Sequence, residues 1–376
     1  VSEVDRLVAK ELSSRGIEAA RPASEEVFFR RVFIDVTGTI PPPQAWRKYL
    51  RTEADRRREA LIEALMESEA FADNWARKWG DLLRVKSEFP INLWPNGVQA
   101  YHRWIRETVA ANMSYDEFAR HLLTSSGSNF RVPAVNFYRA IEGQEPETIA
   151  SAVSLSLMGV RFGSWSDSQR SDMANVFSRV AYKKTDEWKE EIVYLDPAQY
   201  SPLEISFPDA TSVTIAAGED PREAFADWLI RPDNPWFARS LVNRAWFWLM
   251  GRGLIHEPDD IRADNPSVNP ALLAYLGQEF VGSGYDTRHV FRLILNSRTY
   301  QQSSIPRSDH AEAESLFAHY IVRRLDAEVL FDALTVLGGR GEIYQSPVPE
   351  PFTFVPEYNR TIDLSDGSIT SQSLSY

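Results

Sequence analysis

Cysteine is absent from all 376 residues. Without a thiol there is no disulfide, no thiolate metal site and no thioether-linked haem, so three kinds of chemistry are closed at once. Long apolar runs are lacking too, and none approaches the length needed to span a bilayer. Nor is there an excess of basic charge. The 41 Lys and Arg stand against 53 Asp and Glu, a formal net charge of −12. Nucleic acids are held through basic stripes, and Arg56, Arg57 and Arg58 sit between Glu53, Asp55 and Glu59 as a solvated helix face, so no nucleic-acid partner is expected. Histidines at 102, 121, 256, 289, 310 and 319 form neither an i, i+4 pair nor an HExxH motif. GxSxG and P-loop motifs are also missing, and Gly338-Gly339-Arg340-Gly341 reads as a helix-stop loop. The start, VSEVDRLVAK, is charged and has no signal-peptide core. That leaves a cytoplasmic protein, or a numbering that begins after a removed leader.

What is present is the composition of a folded protein, 43% apolar and 25% charged. The 11 Trp, 14 Tyr and 20 Phe are rings suited to filling cores, with sugar-binding surfaces as the other use of exposed Trp. Helical spacing dominates. Ser24 can cap a helix carrying Phe28, Val32 and Phe33, and Phe71, Trp75 and Trp79 repeat at i, i+4 and i+8. Tyr101, Ile105 and Val109 do the same, and Ser114 with Glu117 makes a capping box. Residues 125–147 read as loop, and a small apolar helix follows over 149–160. From Trp188, the stretches EEIVYLD, PLEISF and SVTIAA alternate as short strands do. Helical stripes return with Asp220-Pro221-Arg222-Glu223 and run through Val242, Trp246 and Leu249 to a last helix with Leu330, Leu334 and Leu337.

These patterns predict a mainly α protein of two helical domains joined by a short strand-containing segment. The expected divisions are an N-terminal helical domain over 1–184, a linker over 185–218, a C-terminal helical domain over 219–345 and an irregular tail over 346–376.

Several long segments carry a resemblance. FFRRVFIDVTGTIPPP from Phe28, FADNWARKWGDLLR from Phe71 and MSYDEFARHLL from Met113 belong to the first half. ADWLIRPDNPWFARSLVNRAWFWLMGRGLIHEPDDIRADNPS from Ala226, LILNSRTYQQSS from Leu293 and RRLDAEVLFDAL from Arg323 belong to the second. Together they resemble the paired domains of unknown function numbered fifteen-forty-nine and fifteen-fifty-three, a planctomycete-type, cytochrome-c-associated family. The resemblance implies an exported protein, periplasmic or cell-surface, whose leader has been removed. It also implies company with haem-c or lectin-like modules. Many members hold a Cys-x-x-Cys-His motif where this chain reads Ser164-Trp165-Ser166-Asp167, and a histidine turn where it reads Ser267-Val268-Asn269-Pro270. This member is therefore haem-free by expectation. The stretch from Pro351 looks like an internal family segment, which implies a natural chain extending past Tyr376.

Among candidate chemical groups, Glu257, Asp259, Asp260 and Asp264 form the most acidic loop, with Asn265 beside them. Hard cations take such oxygens, so Asp259, Asp260 and Asp264 are metal candidates; capping and bracing of neighbouring helices is the reading given more weight. Arg31 with Asp35 and Arg324 with Glu328 stand at i, i+4 and are expected as structural ion pairs. No catalytic residue and no cofactor are assigned. The expected function is a non-enzymatic, extracytoplasmic helical scaffold or interaction subunit. Its partners would be other proteins, in a cytochrome-containing or membrane-associated complex. The alternatives are a carbohydrate-active hydrolase or glycan-binding protein using the acidic loop, and an accessory partner of a c-type cytochrome.

Overall fold

A computed structural model describes residues 2–85, 95–187, 189–339, 341, 343–346, 360–361 and 369. Trp188, Arg340 and most of the 346–376 tail, with the segment from Pro351, lie outside the described residues. The chain is mainly α, with a few short strands. It forms two compact units, each assembled from separated stretches: 1–75 with 238–341, and 76–237 with 342–376.

Among the described residues of the first unit the regular elements are all helices, joined by turns and irregular chain. Its helix Glu25–Thr37 begins where Ser24 Oγ accepts from Val27 N–H at 3.4 Å. It ends at Gly38, whose φ of 63° is left-handed and lets its N–H reach Ile34 C=O at 3.0 Å. Phe28 and Val32 are fully buried on that helix. Trp75, predicted as core, packs its ring 4.3 Å from Phe291 and donates its indole N–H to Val36 C=O at 3.0 Å. A buried Trp needs such an outlet for its one polar atom, so this position carries both packing and a hydrogen bond.

The second unit combines helices with two small antiparallel sheets. Strands appear at Glu191–Leu195, Leu203–Ser206 and Ser212–Ile215, where alternation placed them. Two more were not foreseen: Val180–Lys184, whose polar end hides the alternation, and the two-residue Gly127–Ser128 inside the expected loop. They flank Glu191–Leu195 on either side. Residues 125–147 also hold the short helix Asn136–Arg139, and the expected 149–160 helix is observed as Pro146–Val153 followed by a wider turn over Ser154–Met158.

The helices Tyr115–Thr124 and Pro221–Leu229 of this unit are tied by Arg222, which is 1% exposed. Its guanidinium donates to Asp220 at 2.9 Å, Ser125 C=O at 3.0 Å, Thr124 C=O at 3.2 Å and Ser126 Oγ at 2.9 Å. A buried cation is tolerated because its donors are met. The capping box expected at Ser114 is not formed, since Ser114 occupies the cap position without a side-chain bond to the helix. Ser166 with Gln169 forms one instead, at the head of Asp167–Val176.

Candidate functional site

The acidic loop was the strongest sequence candidate, and arginines take up its carboxylates. Asp259 accepts from Arg244, which is only 3% exposed and lies on the helix Phe237–Met250. Asp260 faces Arg262 Nε at 3.1 Å, and Asp264, largely exposed, faces the same guanidinium at 3.5 Å. Asn265 braces the turn by donating to His256 C=O at 3.1 Å and Asp260 C=O at 2.9 Å. Asn243 holds the preceding strand of loop, donating to Ile255 C=O at 3.0 Å and accepting from Ile255 N–H at 2.8 Å. Among the described residues no group of three or more His, Asp or Glu is arranged to hold a metal ion.

The predicted pair of Arg31 and Asp35 is rearranged. Asp35 is paired with Arg323, at 2.6 Å, and accepts from the hydroxyls of Tyr300 at 2.9 Å and Tyr320 at 3.0 Å. Arg31 donates to the carbonyls of Tyr300 and Gln302, both at 2.8 Å, and lies 3.7 Å over the Tyr320 ring. The reason is tertiary: the segment around Tyr300 brings stronger, less solvated partners to both side chains than one helical turn offers. Burial, together with the Asp35 charge, pushes both phenols above their ordinary range, so they stay neutral donors. Arg324 is exposed and makes no ion pair among the described residues. Its helix begins only at Ala327, so the i, i+4 geometry with Glu328 does not exist there. These groups form a bracing network.

The turn Ser164–Asp167 leads into the capped helix Asp167–Val176, and Ser166 spends its hydroxyl on that cap. Trp165 is half-buried, its ring edge-on to Phe162 at 5.9 Å and to Trp236 at 6.4 Å. At the other departure from the family pattern, Asn269 caps Pro270–Gly282 by accepting from Leu272 N–H at 3.0 Å and donating to Leu7 C=O at 3.2 Å. Both positions serve helix starts.

The last helix presents a surface of a different kind. The helix Ala327–Gly338 buries Val329, Asp332 and Ala333. Its other face holds Leu330 at 47% exposure, Leu334 at 57% and Leu337 at 76%, while Val336, also exposed, lies near the helix end on the side of Val329 and Asp332. The stripe that made this helix legible in the sequence is therefore its outer face, contrary to the usual rule that apolar spacing marks the core. Three leucines exposed on one face of a short helix are more than scattered surface hydrophobics, and contiguous patches of this kind mark interaction sites.

Residues 3–163 match the family described as PSCyt2, a protein of unknown function (DUF1549), and residues 221–367 match PSD1, a protein of unknown function (DUF1553). The chain belongs to the family that pairs these two domains. No curated protein and no solved structure matches it. As a DUF1549–DUF1553 protein, this member has no cysteine with which to attach haem. The exposed apolar helix lies inside the DUF1553 match. The short strands from Val180 to Ile215 lie between the two matched regions. No helix among the described residues is long and apolar enough to cross a membrane.

Proposed function

We propose that this DUF1549–DUF1553 protein is a non-enzymatic, haem-free interaction subunit working outside the cytoplasm, and that it docks another protein on the helix Ala327–Gly338. The observation that carries the reading is the exposed Leu330, Leu334 and Leu337 face. Burying an exposed leucine contributes about 1.5–3 kcal/mol, so covering three of them is enough to anchor a transient interface. The hydrolase alternative loses ground because the acidic loop has Asp259 committed to Arg244 and Asp260 to Arg262. A glycosidase needs one carboxylate free to act as nucleophile or base and a second as acid. The cytochrome-accessory version is a special case of docking, in which the partner carries the haem.

The test is site-specific photo-cross-linking in cells of the natural host. A photoreactive residue at position 334 should capture one defined protein, and the same group at the exposed helical position Glu59 should not. Capture that is equal at the two positions, or absent at 334, rejects the docking face. Fractionation of the same cells reports the compartment, and recovery in the cytoplasm rejects that part of the reading.

A further inference from the structure

A cavity of about 680 Å³ lies beside the hairpin of Val180–Lys184 and Glu191–Leu195 in the second unit. Small-molecule sites commonly fall between about 300 and 1,000 Å³, so the volume suits a ligand of one or two sugar rings. The register of the hairpin decides what faces it. Tyr182 stands opposite Val193 and Lys184 opposite Glu191, and because side chains alternate along a strand these four share one face. Tyr182, Lys184 and Glu191 line the cavity.

A lysine directly across from a glutamate is ordinarily a cross-strand ion pair. Here the Glu191 carboxylate is taken by Arg139 at 2.8 Å, both side chains being mostly buried. Lys184 is left with no carboxylate in ion-pair reach among the described residues. The neighbouring acid, Glu190, is also committed, accepting from the hydroxyls of Ser128 at 2.5 Å and Thr185 at 2.8 Å. The Tyr182 hydroxyl is buried and has no hydrogen-bond partner among the described residues. Burial holds this phenol above its ordinary range, so it is a neutral donor at physiological pH. Lys184, charged, and Tyr182, neutral, are thus donors of the lining without a partner among the described residues, and Glu190 and Glu191 are spent internally. Leaving a buried hydroxyl unmade costs about 1–3 kcal/mol, which a bound acceptor oxygen recovers.

We propose that this cavity binds a small, oxygen-rich ligand bearing a single carboxylate, of the sugar-acid class, with the carboxylate at Lys184 and a ring or hydroxyl oxygen at Tyr182. A monoanion fits better than a dianion. Arg139, Lys184 and Lys189 are balanced in the lining by Glu187, Glu190 and Glu191, so a second negative charge meets a lining without net positive charge among the described residues. The hairpin part of the lining, Tyr182 to Glu191, lies between the two matched regions, and Tyr138 to Gln144 lie inside the first. It stands independently of the docking helix.

The experiment is calorimetric and NMR titration of the intact protein with D-glucuronate, its neutral methyl ester, D-glucose and glucose 6-phosphate. Glucuronate should bind saturably, at least about tenfold tighter than the methyl ester or glucose, the worth of one charge-assisted bond. Lys184→Gln should abolish that preference for the free acid, and Tyr182→Phe should weaken binding of acid and ester alike. Both substitutions keep the strand's packing, and circular dichroism of each variant confirms the fold. Three results overturn the proposal: no saturable binding of glucuronate, undiminished binding by Lys184→Gln, or preference for the phosphate over the carboxylate.

Discussion

Arg323 donates to Asp35 at 2.6 Å across 288 residues of sequence, taking the carboxylate that helical spacing assigns to Arg31. Both ends of that bond are in the unit that joins residues 1–75 to 238–341, so the pair closes the unit between its two separated stretches. Asp35 is 6% exposed and surrounded by donors. Its removal strands a guanidinium and two phenols.

Asp35→Ala should therefore destabilise the protein by about 3 kcal/mol, the cost of breaking one side of a buried pair. Arg324→Ala, at the exposed neighbour, should stay within about 0.5 kcal/mol of the parent. Urea unfolding of the two variants checks this, and equal effects would show that the network does not brace the unit.

The same network sets an alkaline limit. Tyr300 and Tyr320 have folded pKa values raised above the ordinary tyrosine value, by burial first and the Asp35 charge second. A raised folded pKa contributes stability that is full below the unfolded value and is lost as pH rises through the folded one. Stability should thus decline from about pH 10 upward, because the unfolded chain releases those protons first. Urea midpoints across that range should fall less steeply in a Tyr300→Phe, Tyr320→Phe double variant. An unchanged slope would separate the tyrosines from the decline.

The acidic loop should be indifferent to calcium. A resident ion would add roughly 2.7 kcal/mol at a hundredfold excess over its dissociation constant. Thermal melts with chelator and with millimolar calcium should coincide, in the parent and in Asp260→Asn alike. A large calcium-dependent rise that Asp260→Asn removes would make the loop a metal site and reopen the enzyme reading.

Purified protein should carry no covalent haem, since thioether attachment requires a thiol and the chain has none. A c-type band in the pyridine haemochrome of denatured protein would contradict this.

The proposed junction at 185–218 has its own measurement. Residues 197–202 are exposed without interruption, and Tyr200 is 64% exposed. Brief chymotrypsin treatment should cut first at Tyr200. A first cut inside Val242–Leu249 would overturn both the junction and the buried status of that helix.

Local pattern was enough for many of the helices and for three of the strands, because caps and apolar spacing act within one or two turns, while the helices Glu3–Ser14 and Asp167–Val176 were not read from it. Ser24, Asp220 and the stripe of Phe71 and Trp75 each announce an element through bonds made within that element. The absence of cysteine likewise decides by itself that no haem is thioether-linked. Spacing could say that Leu330, Leu334 and Leu337 share a face, but not that the face looks outward. That depends on which side of the helix finds neighbours, a property of the packed chain. Nor could it say that Asp35 would leave Arg31 for Arg323, or that Glu191 would leave Lys184 for Arg139. A carboxylate goes to the donor that burial presents in the best geometry, and the competing donors arrive from positions distant in sequence. The helices were local facts; the partners of their charges, and so the groups left free to bind something else, were decided by the tertiary structure.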